Sequence, residues 1–381
     1  MSAVLENPTT QSHPTPNADA SRSSGAVQAN PSSRGGFLFS PWIDLIFVAN
    51  LLWPLVVFVD VFGGTTAHEG LLFWQIYFIT APHRWITIVL VAVDHHKSQD
   101  RRWLFGALAL AILVVCLGLQ LGTGSLLCLG MIDYVWNAWH FSSQHHGIYR
   151  IYQRRSDSKP RVQSDPFDRT SKIATEQAHS RRLSTHHSAT FQKFLFRGFL
   201  LYAIARVAGV GWPEGPFPTL NAITQLDWPM LLIPVGFCGV AVQRSLRSGR
   251  ESLAGTAYLF SVMALFTCLL LAAHYENSRL VIQLALASAI FHSMEYMSIV
   301  TWSMKKSGTL PNSNPLTRLS KIWMLFLVAF VLVIGLGNYL MSRGYFEIWV
   351  LANLVVAFWH YCFDGMLWKS PKPKAQTGGG A

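Results

Sequence analysis

Apolar runs of eighteen or more residues recur along this chain, so lipid rather than water is the solvent for most of it. Only 13% of the 381 residues are charged, about half the usual fraction of roughly 25%. Such a chain cannot clothe a soluble globule. Fourteen Trp, 24 Phe and 11 Tyr suit a bundle with aromatic side chains at its interfaces and in its packing. The fold class expected is all-α, a polytopic transmembrane helix bundle.

Ten spans are expected, near 41–63, 71–95, 104–122, 125–149, 191–212, 227–243, 253–273, 280–304, 321–341 and 345–367. Basic residues follow the even spans: Lys97, Arg101 and Arg102; Arg150, Arg154 and Arg155; Arg244, Arg247 and Arg250; Lys305 and Lys306; Lys369, Lys372 and Lys374. The opposite connections are poor in charge, so both termini and the even exits are expected to be cytoplasmic. The net charge of +11 is therefore read as topology and contact with membrane lipids, and no nucleic-acid partner is expected.

Residues 1–36 are rich in Ser, Pro, Asn, Thr and Gln and are expected to form a disordered tail. They lack the pattern of a signal peptide, so the first span is expected to serve as the insertion signal. Residues 37–370 form the transmembrane domain, and 371–381 a flexible C-terminal tail. Within the domain, 150–192 is expected to be a basic cytoplasmic loop, either a linker on anionic headgroups or a lid carrying His179, His186 and His187. Cys116, Cys128, Cys238, Cys268 and Cys362 all fall in apolar runs without CxxC spacing and are read as small buried side chains, neither disulfides nor zinc ligands.

An ionisable side chain inside a bilayer is costly and marks a functional site by default. The deep ones are read on four even spans only. The second carries His83 and Arg84, the fourth Asp133 and His140, the eighth His292 and Glu295, the tenth His360 and Asp364. Measured from the cytoplasmic anchors at about 1.5 Å per residue, His83, His292, His140 and His360 lie roughly 21, 20, 15 and 14 Å deep. A lone histidine in a membrane helix more often bonds a neighbouring carbonyl or hydroxyl than a metal. Four at matched depth favour a shared cation. Arg84 needs a counter-ion, either Glu295 or Asp133, or else it snorkels or lines a cavity. His95, His96, His145 and His146 are placed at the interface, and His274 is read as interfacial.

The helical neighbours fit a supporting shell. Asn137 and Gln144 flank His140, Glu295 and Tyr296 follow His292, and Asp364 follows His360. Imidazoles without thiolate suit iron, copper, zinc or nickel. A site deep in lipid reaches O₂ and long apolar molecules readily, so non-haem Fe(II) is the most economical choice. A second iron is left open.

At these four segments the sequence resembles the bacterial Brp/Blh-type β-carotene dioxygenases. The resemblance rests on Pro82-His83, His140-Phe141, His292 in HSMEY, and His360 followed by Asp364, in that order. Arg84 stands where the family has glycine, and Tyr296 where it has a second histidine. The resemblance implies a polytopic membrane protein with histidine-ligated iron that cleaves a carotene with O₂. The expectation is an inner-membrane, iron-dependent oxygenase acting on a lipid or isoprenoid. Its metal ligands would be His83, His140, His292 and His360, with Glu295, Asp364 and Tyr296 as catalytic or orienting groups. Two other readings stand beside it: a diiron desaturase or hydroxylase, whose HxxxH and HxxHH spacings are absent, and a proton-coupled transporter using the same His, Arg, Glu and Asp.

Overall fold

The computed structural model describes residues 36–93, 101–157, 172–211, 223–307 and 315–368. Residues 1–35 of the expected tail, the expected C-terminal tail, and Asp94, His95 and His96 lie outside them. No strand occurs among the described residues. The helices are α1 (Pro41–Val48), α2 (Trp53–Phe62), α3 (Gly64–Val93), α4 (Arg102–Thr123), α5 (Leu127–Asp157), α6 (Lys172–Gly211), α7 (Ile223–Arg247), α8 (Leu253–His274), α9 (Ser278–Ser307), α10 (Pro315–Lys321), α11 (Trp323–Gly344) and α12 (Phe346–Leu367).

Among the described residues seven helices are long and apolar enough to cross a membrane, or eight if the bent pair α1–α2 is one span. The bend of 49° falls at Asn50, whose φ of 45° is left-handed. The fourth and fifth expected spans are helical as α5 and α6 but fall outside that number. Helix α5 carries Asp133, Asn137, His140, Gln144, His145 and His146, and the first half of α6 is polar. Of the loop expected at 150–192, the described residues 150–157 and 172–192 are helical, and 158–171 lie outside the described residues. Helix α5 runs on to Asp157, α6 begins at Lys172, and the backbone at His179, His186 and His187 is helical.

Turn chemistry explains the sharp corners. Gly124, at φ +63°, closes α4 with its N–H on the Gln120 carbonyl. Between α8 and α9, Glu276 adopts φ +53°, and the Asn277 side chain accepts from the Leu280 N–H at 3.1 Å to cap α9. Helices α8 and α9 are central, with 61% of their apolar windows buried, whereas α4 and α11 are peripheral at 11%. The largest apolar cluster joins α5, α6, α8 and α9 through Tyr149, Phe196, Phe199, Tyr258, Phe266 and Phe291. Smaller ones lie around Ile86, Val300 and Trp323, and around Cys116, Leu354 and Phe358. Helices α3, α5, α9 and α12 meet between these clusters.

Two expectations about side chains change. Cys116 is buried, but Cys128 and Cys268 are open to the surroundings; all five cysteines are free. Apolar position in sequence does not separate a protein-facing side chain from a lipid-facing one. Ionisable residues buried against protein also occur beyond the four expected helices. Asp44 and Asp60 on the first span, Arg206 on α6 and Asp227 on α7 are all buried.

Candidate metal centre

The second half of α3 opens on a wide turn. Residues Trp74–Thr80 are π-helical, with the Ala81 N–H reaching the Ile76 carbonyl and the Gln75 amide bonding Thr80 Oγ1 at 2.6 Å. Pro82 follows, and its ring would collide with the carbonyl one turn back in a regular helix; the wide turn relieves that collision. Just beyond it His83 Nδ1 lies 2.6 Å from the Thr80 carbonyl. A carbonyl only accepts, so the ring proton is assigned to Nδ1 and the Nε2 lone pair is free. Ser293 on α9 also approaches Nδ1, at 3.1 Å.

On α12, His360 Nδ1 is 2.7 Å from Thr87 Oγ1, which is 2.7 Å from the Tyr296 hydroxyl. Tyr296 donates its single proton to Asp364 Oδ1 at 2.6 Å. Thr87 must then donate to Tyr296 and accept from His360, which again leaves Nε2 with its lone pair. Such a relay fixes tautomer and ring angle in the way that supporting carboxylates do for metal-bound histidines. Asp364 Oδ2 stands 4.0 Å from His140 Nε2.

The four imidazoles come together. Ring centroids lie 5.0 Å apart for His83 and His360, 5.4 Å for His83 and His292, 5.1 Å for His140 and His292, and 4.7 Å for His140 and His360. The Nε2 atoms of His140 and His360 are 3.1 Å apart. Either His140 donates its proton there, or both lone pairs meet a cation. One potential ligand atom from each of His83, His292 and His360 lies within 4.8 Å of the others; the same holds for His140, His360 and Asp364, and for His145, His292 and Glu295. These groups have the geometry to hold a metal ion.

His292 tests the fit most sharply. It is 1% exposed, and among the described residues neither ring nitrogen has a hydrogen-bond partner. Phe141 stacks on its face at 3.8 Å between centroids and 14° between planes, so the ring is held. A buried, unpaired polar group costs about 1–3 kcal/mol. A cation among four imidazoles removes that cost at one nitrogen, and an all-imidazole set edged by a carboxylate suits iron, copper, zinc or nickel.

The remaining expected residues fall as follows. Glu295 is fully buried and does not serve Arg84. It accepts from Tyr258 and, at 2.8 Å, from Gln144, and it lies 3.1 Å from His145 Nδ1. The Gln144 amide also donates to the His292 carbonyl at 3.0 Å. Neither expected counter-ion forms an ion pair with Arg84 among the described residues; Asp133 accepts instead from Tyr361 at 2.9 Å, and Arg84 Nε is buried without a partner. His145 and His146, expected to be solvated at the interface, are buried against the protein, and α5 continues about three turns past them. His274 is tied to Asp227 at 3.0 Å, where Arg206 forms a two-pronged pair at 2.9 and 3.1 Å and Tyr202 donates at 2.6 Å.

Thr80, Thr87 and Tyr258 are the residues that sequence reasoning missed, and it gave Phe141 and His145 no supporting role at the centre. Thr87 follows His83 by four residues on the same face, so helical periodicity alone marks it. No protein-family model matches the chain, and neither a curated protein nor a solved structure matches it.

Proposed function

We propose that this chain is a multi-pass enzyme of the inner cell membrane in which His83, His140, His292 and His360 hold a non-haem Fe(II). It acts with O₂ on an apolar lipid-phase molecule, a lipid or a carotenoid-like isoprenoid. The observation that carries this reading is the orphaned His292 ring, set among three other buried imidazoles. Taking α1–α2 as one span and adding α5 and α6 to the apolar helices makes ten spans. Basic residues at the even exits then support a cytoplasmic position for both termini.

When bound, the iron supplies activation of O₂ and the electronic step at a carbon–carbon double bond, and cleavage to two carbonyls needs no external reductant. The chain's own residues do the rest. Thr80, Thr87 and Tyr296 hold two imidazoles with their lone pairs inward. Asp364 takes the end of that relay, and its second oxygen stands beside His140 as an alternative ligand. The surrounding apolar clusters keep water from the centre. On α5 a shallow apolar hollow of about 640 Å³, lined by Met131, Ile132, Val135, Trp136 and Trp139, opens within one turn of His140. Trp136 packs against Tyr361 at 6.0 Å, and Tyr361 against His140 at 5.0 Å. A long substrate entering sideways from the bilayer would meet this aromatic row first.

A proton-coupled transporter is the second reading, favoured by the chain of hydrogen bonds from His360 to Asp364. A proton relay, however, needs partnered nitrogens, and those of His292 have none. The test is oxygen consumption by purified protein given apolar extracts, with mass analysis of the products. Uptake with new carbonyl products is expected from the wild type and not from His360→Ala. Proton-coupled flux in vesicles without oxygen uptake would overturn the enzyme reading.

A further inference from the structure

The two nitrogens of one imidazole diverge, so a single cation engages only one of them. In His292 the other is then a buried N–H with nothing to accept it. His145 shows the same deficit. Its Nδ1 faces Glu295 at 3.1 Å and Tyr258 at 3.0 Å, while its Nε2 is buried without a partner among the described residues. Glu295 adds a charge problem. It is 0% exposed, and among the described residues His145 is its ion-pair partner, so no fixed cation offsets the carboxylate.

Helix geometry separates these groups from the four-imidazole cluster. His140 and His145 are five residues apart on α5, about 140° around the helix axis. His140 turns to His360, and His145 turns to Glu295. His292, three residues before Glu295 on α9, has a ligand atom within 4.8 Å of those in both sets. Its ring is 5.4 Å from His83 and 6.1 Å from His145.

We propose that the chain holds a second divalent cation, ligated by His145, His292 and Glu295, with His292 bridging the two ions through its two ring nitrogens. This rests on the reading that the four imidazoles hold the first. Binding of the second ion displaces the remaining ring proton of His292, which leaves to solvent as metal binding generally requires. Gln144 and Tyr258 fix the Glu295 carboxylate, and Phe141 fixes the bridging ring. Two nitrogens and one oxygen suit a first-row divalent ion such as iron or zinc.

The test loads full-length, chelator-stripped protein in detergent with cobalt(II) and counts the metal retained after excess is removed. The expected result is about two ions per wild-type chain and one in His145→Gln and in Glu295→Gln. One ion per chain in all three would overturn the second site while leaving the first centre standing. No ion in any of them would overturn both. The cobalt paramagnetic signal gives a readout that does not depend on the variants folding. Bridged ions couple, so the wild-type signal per ion is expected to be weaker at two equivalents than in wild type loaded with a single equivalent. Equal signal per ion at one and two equivalents would overturn the bridge.

Discussion

Thr87 has no capacity to ligate a soft cation, yet it sets the tautomer of His360 by accepting its Nδ1 proton and passing a hydrogen bond to Tyr296. Loss of such a partner typically costs 10–100-fold in metal affinity. Thr87→Val is therefore expected to weaken metal retention by about that factor, and Thr87→Ser to keep it, in a competition against a chelator of known strength. A Val variant that binds as tightly as the wild type would remove Thr87 from the relay. Arg206 sits in a different kind of site, fully buried and paired with Asp227. Arg206→Met leaves that carboxylate, among the described residues, only Tyr202 and His274, and breaking such a buried pair costs about 3–5 kcal/mol. A lower unfolding temperature in detergent, with metal content per folded chain unchanged, is the expected outcome. Depth counting along the sequence picked out His83, His140, His292 and His360, because a periodic helix with a basic anchor measures its own depth. It missed Arg206, whose partner lies 21 residues away on another helix, and it did not foresee that His145, five residues before Arg150, is buried against the protein.

The element that most needs explaining is the π-helical turn in α3, since it sets the rotation of His83 relative to the preceding half of the helix. Phe78 of that turn packs on Gly335 of α11 so closely that an added Cβ would meet its ring at 2.5 Å. Gly335→Ala is thus expected to cost about 1–3 kcal/mol by overpacking, and to loosen metal retention by shifting the turn. The added change Phe78→Leu should recover much of both, as read by thermal unfolding and metal content of the double variant. No recovery would separate the turn from the centre. Span positions were legible from apolar runs because lipid demands them, but the wide turn was not. Pro82 announces an irregularity without saying which carbonyls it rearranges. Helix α5 shows the converse, since the polar residues that lower its hydropathy are the ones the bundle buries around the imidazoles.

At the scale of the whole molecule, large apolar side chains face outward along many of the helices, Phe62, Leu121, Leu232, Leu325 and Val333 among them. An exterior of this kind suits a bilayer. Reporter domains fused to each terminus are expected to be active only in their cytoplasmic form, and a periplasmic signal from either would contradict the ten-span topology. The bundle brings together four helices, and with them four imidazoles that no local pattern relates. That convergence is a property of the packing and was beyond the reach of periodicity alone. The central claim is that these rings share one ion. Metal K-edge absorption spectroscopy on the purified chain tests it most directly. The account predicts a first shell dominated by nitrogen with the outer scattering of several imidazoles, reduced by one ring in His83→Ala. A shell of oxygen or sulfur alone, or one unchanged by that substitution, would contradict it.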